Sequence, residues 1–140
     1  MTRILGIDVG EARIGLAISD ELGMLAHPLE TVRVKEGNPL KRVAEVILRD
    51  KIETVVIGLP RNMNGTYGPA ADKAREFSTK LQALAPCKVK FWDERLTTVA
   101  AQKSLHEAGR NVKESRQVID QVAAQLILQG YLDSQAMLEG

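Results

Sequence analysis

The stretch RILGIDVG, residues 3–10, decides the fold. Its apolar residues run almost without polar interruption from Ile4 to Val9, a pattern typical of a strand buried on both faces of a sheet. Asp8 breaks this pattern. Because burying an ionised carboxylate without a partner is unfavourable, Asp8 needs a cation, hydrogen bonds or access to solvent. A plain alternative is a strand-end aspartate that caps the turn at Gly10.

Outward from this strand, periodicity and turn residues predict the remaining elements. Further strands are expected over about 14–19, 29–34, 53–59 and 88–92. Helices are expected from Asn38-Pro39 onward and over about 69–83, 99–108 and 117–137. The order βββαβαβαα predicts an α/β fold with a mixed five-stranded sheet flanked by helices, forming a single domain over residues 1–140.

Bulk properties are those of an ordinary globular protein, with 44% hydrophobic and 26% charged residues. The net charge of +1 supplies little long-range attraction, so any phosphate-binding surface must come from local clustering. The single cysteine, Cys87, excludes an intramolecular disulfide and a thiolate metal cluster. No apolar run suggests a signal peptide or a membrane span, which predicts a cytoplasmic protein without membrane contact.

Two further carboxylates lie where they can meet Asp8. Glu94 follows the last predicted strand. Asp120 borders the apolar stripe of the last predicted helix, which consists of Ile119, Val122, Ala123, Leu126 and Ile127. Taken singly, Glu94 fits an acidic first helical turn and Asp120 fits an exposed helix start. Taken together with Asp8, they form an oxygen-rich set that suits Mg²⁺ or Mn²⁺ better than zinc. Such a set is suited to phosphoryl displacement.

Four blocks of sequence resemble the YqgF family of Holliday-junction-resolvase-like proteins, also described as pre-16S ribosomal RNA nucleases. They occur in order along the chain and span it from the first strand to the last helix. The blocks are IDVG with RIGLA (7–10, 13–17), GLPRNMNG (58–65), DERLTT (93–98) and IDQVAA (119–124). The sequence differs mildly from the family pattern at position 12, where Ala12 replaces a residue that is often basic in relatives.

The resemblance implies a ribonuclease H-like fold and a metal-dependent nuclease. It implies that Asp8, Glu94 and Asp120 are the catalytic and metal-binding residues, with Mg²⁺ or Mn²⁺ as cofactor. It also places a nucleic-acid contact in the loop 58–65. With the basic residues nearby, the expected nucleic-acid-binding set is Arg13, Arg61, Asn62, Arg95, Lys113 and Arg116.

Lys113 and Arg116, together with Arg110, are expected in a loop that leads into the last helix. A solvated basic loop is the ordinary alternative to a phosphate-contacting one. Trp92 also has two interpretations, stacking on a base or packing in the core, and packing in the core is favoured.

Several functions compete with the nuclease interpretation. An ATP-binding protein of the actin, hexokinase and Hsp70 type shares the D-x-G turn but needs two such domains. A non-catalytic nucleic-acid-binding factor would keep the fold, but three carboxylates without metal would oppose phosphate binding. Within the nuclease interpretation, processing of the 5′ end of precursor 16S rRNA in ribosome biogenesis is favoured over resolution of four-way DNA. A resolvase is expected to work as a symmetric dimer, so both a monomer and a homodimer stay open.

Overall fold

The structure, a computed structural model, describes residues 3–60, 64–93 and 112–139, with side chains in the last range described from Gln121 to Leu138. Its strands are β1 Ile4–Val9, β2 Arg13–Ser19, β3 Ala26–Arg33, β4 Thr54–Leu59 and β5 Lys88–Asp93. The described helices are α1 Pro39–Arg49, α2 Pro69–Leu84 and α3 Val112–Glu139, and a short 3-10 turn covers Val34–Glu36. The predicted helix over 99–108 lies outside the described residues.

The five strands form one mixed sheet in the order β3-β2-β1-β4-β5. β1 pairs antiparallel with β2 and parallel with β4, and β4 pairs parallel with β5. This confirms the predicted mixed sheet with an antiparallel meander followed by parallel strands. The strand RILGIDVG thus lies at the centre, with two neighbours on each side.

Local signals explain where the elements begin. The side chain of Asn38 caps α1 by accepting a hydrogen bond from the backbone N–H of Lys41 at 3.2 Å, and Pro39 occupies the first turn. β3 begins at Ala26, earlier than the predicted 29–34, and therefore includes Pro28. Proline is tolerated there, since β3 is an edge strand and its pairing with β2 shifts register next to Pro28.

Two layers of side chains cover the sheet. One face packs against α1 and α2 through a core centred on Leu5, Ile7, Val55 and Ile57. The other face packs against α3 through a smaller core that includes Ala17, Val56, Ala124, Ile127 and Leu128. The half-buried thiol of Cys87 packs at the edge of the first core, and burial raises its pKa, which suits a structural cysteine.

Helix α3 differs from its prediction in two ways. It begins at Val112 rather than near residue 117, so Lys113 and Arg116 lie in the helix and their predicted loop is wrong. Among the side chains described from Gln121 to Leu138, the fully buried ones are Ala124, Ile127 and Leu128, whereas the predicted stripe residues Val122, Ala123 and Leu126 are only partly buried.

The absence of a side chain at Gly6 permits the close approach of α3 to β1. A β-carbon at Gly6 would lie 2.7 Å from Cβ of Leu128 and 2.9 Å from the carbonyl oxygen of Ala124. The helix therefore rests almost directly on the backbone of the central strand. Its deepest positions are set by this contact rather than by its most hydrophobic stripe.

Replacing Gly6 with alanine should push α3 away from the sheet and cost about 1–3 kcal/mol of unfolding free energy, as overpacking of a tight core does. Urea denaturation of Gly6→Ala against the parent measures this cost. Equal midpoints and slopes for the two proteins would contradict the close packing of α3 on β1.

The ion pair between Glu30 and Arg42, which joins β3 to α1, predicts a pH dependence. Arg42 Nη2 and Nε donate to the two carboxylate oxygens at 2.6 and 2.8 Å. These hydrogen bonds lower the pKa of Glu30. The pair therefore contributes stability above the ordinary glutamate pKa, and this contribution is lost as pH falls through the lowered folded-state pKa.

Glu30→Gln should lower the unfolding free energy by roughly 0.5–1 kcal/mol near neutral pH, since both side chains are partly exposed. The difference between variant and parent should shrink on acidification. Chemical denaturation at neutral pH and near pH 3 compares the two, and a difference independent of pH would exclude this linkage.

Candidate active site

Asp8 lies one residue before the end of β1 and is half-buried. The chain then turns tightly, with the N–H of Gly10 donating to the carbonyl of Arg13 at 3.0 Å. A β-carbon at Gly10 would lie 2.5 Å from that same oxygen, so the turn requires glycine. The spacing between aspartate and glycine is thus set by the strand end and the turn that follows it.

Both sheet neighbours of Asp8 are buried glycines. Asp8 pairs directly with Gly15 on β2, and one position beyond the pair Ile7–Ile57 it has Gly58 as its neighbour on β4. Asp8 and the residues opposite it on the other strands form one row across the sheet. Gly15 and Gly58 bring no side chains to this row. The same row continues to Thr31 on β3 and Trp92 on β5.

The row of Asp8 faces α3. Gly6, two residues before Asp8 on the same face, meets Ala124 and Leu128 of that helix. At the β3 edge of the row, the side chain of Gln121 donates to the hydroxyl of Thr31 at 3.0 Å. The first described side chain of α3 therefore reaches the sheet at the level of Asp8.

Helix α3 runs antiparallel to β1. Gln121 bonds Thr31, Gln125 bonds the carbonyl of Ala26, and Gln129 bonds the carbonyl of Met24. Later residues of α3 thus contact earlier residues of the β3 region, so α3 and β3 run in opposite directions. β3 runs in the same direction as β1. The amino-terminal half of α3 accordingly lies toward the carboxyl ends of β1 and β4.

Trp92 belongs to the core rather than to an open stacking surface. Its indole packs so closely on α3 that a β-carbon at Gly130 would lie 2.8 Å from the ring. The indole N–H is buried and has no hydrogen-bond partner among the described residues. This supports the favoured core interpretation over base stacking.

The predicted site residues are described to different degrees. Asp8 and Arg13 are described with their side chains, and both belong to the strands that meet at the turn 10–13. Lys113, Arg116 and Asp120 lie within helix α3, but their side chains lie outside the described residues. Outside the described residues altogether are Arg61, Asn62, Glu94 and Arg95. Within the described part of the chain, no three His, Cys, Asp or Glu side chains converge as metal ligands.

Sequence reasoning missed Arg33. It pairs directly with Arg13 across β2 and β3, two pairs beyond Thr31–Gly15 and therefore on the same face as Asp8. Arg33 is exposed and also forms an ion pair with Glu36 at 3.2 Å. No periodicity in the sequence signals this pairing, because it depends on the irregular register between β2 and β3.

A family model described as RuvX, Holliday junction resolvase, matches residues 2–134. The chain belongs to this family. A protein of Halalkalibacterium halodurans named "Putative pre-16S rRNA nuclease" is 44% identical over 138 residues, which cover 96% of this chain and 99% of the relative. A protein of Clostridium botulinum with the same name is 45% identical over 133 residues, covering 94% of this chain and 97% of the relative. The resemblance to the YqgF family is thereby confirmed.

Solved structures confirm the ribonuclease H-like fold of this RuvX family member. Thermus thermophilus RuvC in complex with a Holliday junction substrate aligns with a TM-score of 0.61 at 18% identity, covering 98% of this chain and 97% of that chain. A second Thermus thermophilus RuvC structure aligns with a TM-score of 0.55 at 17% identity and covers 97% of each chain. At these identities the likeness concerns the fold.

None of the helices among the described residues combines the length and apolar character needed to cross a membrane.

Proposed function

We propose that this RuvX family member is a nuclease that hydrolyses phosphodiester bonds in precursor 16S rRNA, with Asp8, Glu94 and Asp120 as its catalytic carboxylates. The observation that carries the proposal is the position of Asp8. It is a half-buried carboxylate at the end of the central strand, with glycine on both sides and helix α3 above it. The two glycines keep side chains away from the sheet positions beside this carboxylate.

The geometry of α3 supports Asp120 as a partner of Asp8. Ala124 contacts the sheet at Gly6, and residue 120 precedes it by about one helical turn, which is about 6 Å along the axis. Asp8 lies two residues beyond Gly6, which is about 6.6 Å along the strand in the same direction. The two steps match, so we propose that Asp120 faces Asp8.

Glu94 is the third proposed carboxylate. It directly follows Asp93, the last residue of β5, which pairs with Leu59 at the end of β4. The carboxyl ends of the parallel strands β1, β4 and β5 meet at one edge of the sheet, where ligands of such sheets bind. Asp8 lies at this edge, which supports Glu94 as a contributor to the same site.

The donor set fits a hard divalent cation. Carboxylate oxygens are the preferred ligands of Mg²⁺ and Mn²⁺, and Gly15 and Gly58 bring no competing side chains to the positions beside Asp8. Asp8, Glu94 and Asp120 would hold the cation. When bound, it would stabilise negative charge on the attacking and leaving oxygens of phosphoryl transfer.

Arginines beside the site are proposed to hold the nucleic-acid backbone. Arg13 and Arg33 lie directly opposite each other, and a phosphate near both would offset the repulsion between these like charges. A phosphate near this pair would lie just beyond the row of Asp8. The proposed set also includes Arg61, Asn62, Arg95, Lys113 and Arg116, and these contacts fix the position of the substrate without selecting its sequence.

The substrate class is tested by direct comparison. The relatives' name indicates precursor 16S rRNA, whereas the family description indicates a four-way DNA junction. Both substrates are offered to the protein with magnesium, and cleavage products are mapped. We expect cleavage of the RNA near a mature 16S end, and cleavage of the junction alone would replace this substrate.

We further propose that the chain acts in the cytoplasm as a single domain, either as a monomer or as a homodimer.

Asp8→Asn should nearly abolish cleavage while leaving the metal-free protein at least as stable as the parent near neutral pH. The variant removes one of several neighbouring negative charges with little change in shape. Mg²⁺ should raise the unfolding free energy of the parent more than that of the variant, because it binds the folded site. Cleavage assays with and without chelator and denaturation with and without Mg²⁺ measure both effects.

Asp72→Asn, an exposed position on α2, serves as the matched control and should keep full activity. If Asp8→Asn instead unfolds the protein by several kcal/mol, Asp8 is a structural cap. Undiminished cleavage in excess chelator would exclude the metal-dependent mechanism.

Arg13→Ala and Arg33→Ala should each weaken nucleic-acid binding and reduce the slope of log affinity against log salt by roughly one unit. Arg75→Ala is the control, because Arg75 lies on α2, which packs on the opposite face of the sheet, and contacts the ring of Tyr67. Binding is measured across a salt series with the inactive Asp8→Asn protein. An unchanged slope would assign that arginine to the ordinary solvated surface.

A further inference from the structure

Three glutamines attach α3 to the region of β3. Gln121, Gln125 and Gln129 recur every four residues and therefore form one edge of the helix. Their side-chain amides donate to the Thr31 hydroxyl, the Ala26 carbonyl and the Met24 carbonyl, each at 3.0 Å. Gln129 also accepts a hydrogen bond from the N–H of Ala26 at 2.9 Å. This glutamine edge holds α3 against β3, and each glutamine fixes the part of the helix nearest to it.

The contact of Gln121 differs from the other two. Gln125 and Gln129 bond the main chain at the start of β3, whereas Gln121 bonds a side chain, the hydroxyl of Thr31. This bond is partly buried and lies in the sheet row that contains Asp8, two strands away. Gln121 also directly follows Asp120 in the chain.

We infer that Thr31 is a positioning residue, which acts through Gln121 to set the position of Asp120 relative to Asp8. The inference rests on the proposed function, in which these two carboxylates hold one cation. A helix on a flat apolar layer is free to shift by fractions of a turn, because hydrophobic contact is non-directional. A hydrogen bond at the site end of α3 restricts this shift where the carboxylate geometry matters.

The expected size of the effect follows from the behaviour of residues that orient metal ligands. Losing such a residue commonly reduces metal affinity or activity 10–100-fold. Thr31→Val keeps the shape of the side chain but removes the hydroxyl, and Gln121→Met removes the amide. Either change alone should raise the Mg²⁺ concentration for half-maximal cleavage about tenfold. Because both remove the same bond, the double variant should be no worse than either single variant.

Two matched variants separate positioning from general stability. Thr31→Ser keeps the hydroxyl and should restore the parent's metal dependence. Gln129→Met removes a glutamine contact at the far end of the same edge, so it should lower stability without changing metal dependence. Calorimetric titration with Mn²⁺ in the absence of nucleic acid gives a second readout, and it should show the same order of affinities.

Thr31→Val with the parent's Mn²⁺ affinity and Mg²⁺ dependence, in a protein that Asp120→Asn inactivates, would overturn this inference and leave the proposed function intact. An equal loss of metal affinity in Gln129→Met would also overturn it, because the effect would then reflect stability alone. A parent protein without metal-dependent cleavage would overturn the proposed function together with this inference.

Discussion

The contact of α3 with the bare backbone of β1 at Gly6 determines the arrangement of the site. With Cβ of Leu128 and the Ala124 carbonyl already within 3 Å of where a side chain would begin, no other residue fits there without moving the helix. This contact sets the height of α3 above the sheet. The glutamine edge holds the helix against β3, and together they define the space above Asp8.

The opposite layer supports this arrangement without contributing to it chemically. Helices α1 and α2 cover the other face with a larger apolar core, and β1 supplies Leu5 and Ile7 to that core. Since neighbouring residues of a strand point to opposite faces, the same short segment both anchors the domain and presents Asp8. Asp8 interrupts the apolar pattern of this segment because it belongs to the candidate site, whereas its apolar neighbours belong to the core.

Much of the fold could be predicted from the sequence because it depends on local signals. The capping pair Asn38-Pro39, the buried strands and the order of the elements each follow from nearby residues. The face of α3 could not be predicted, because Ala124 is buried by a glycine more than a hundred residues away. Thr31 and Arg33 were missed for a similar reason, since their places depend on a register shift in an edge strand.

The glycines at positions 15 and 58 have a consequence for the rigidity of the surroundings of Asp8. The walls on either side of Asp8 are main chain held by sheet hydrogen bonds, and they carry no rotatable side chains. Binding a ligand at Asp8 therefore freezes no rotamers at these two positions, whereas a long side chain there would cost roughly 0.5–1.5 kcal/mol when immobilised. At these two positions the surroundings of the carboxylate are therefore as rigid as the sheet itself.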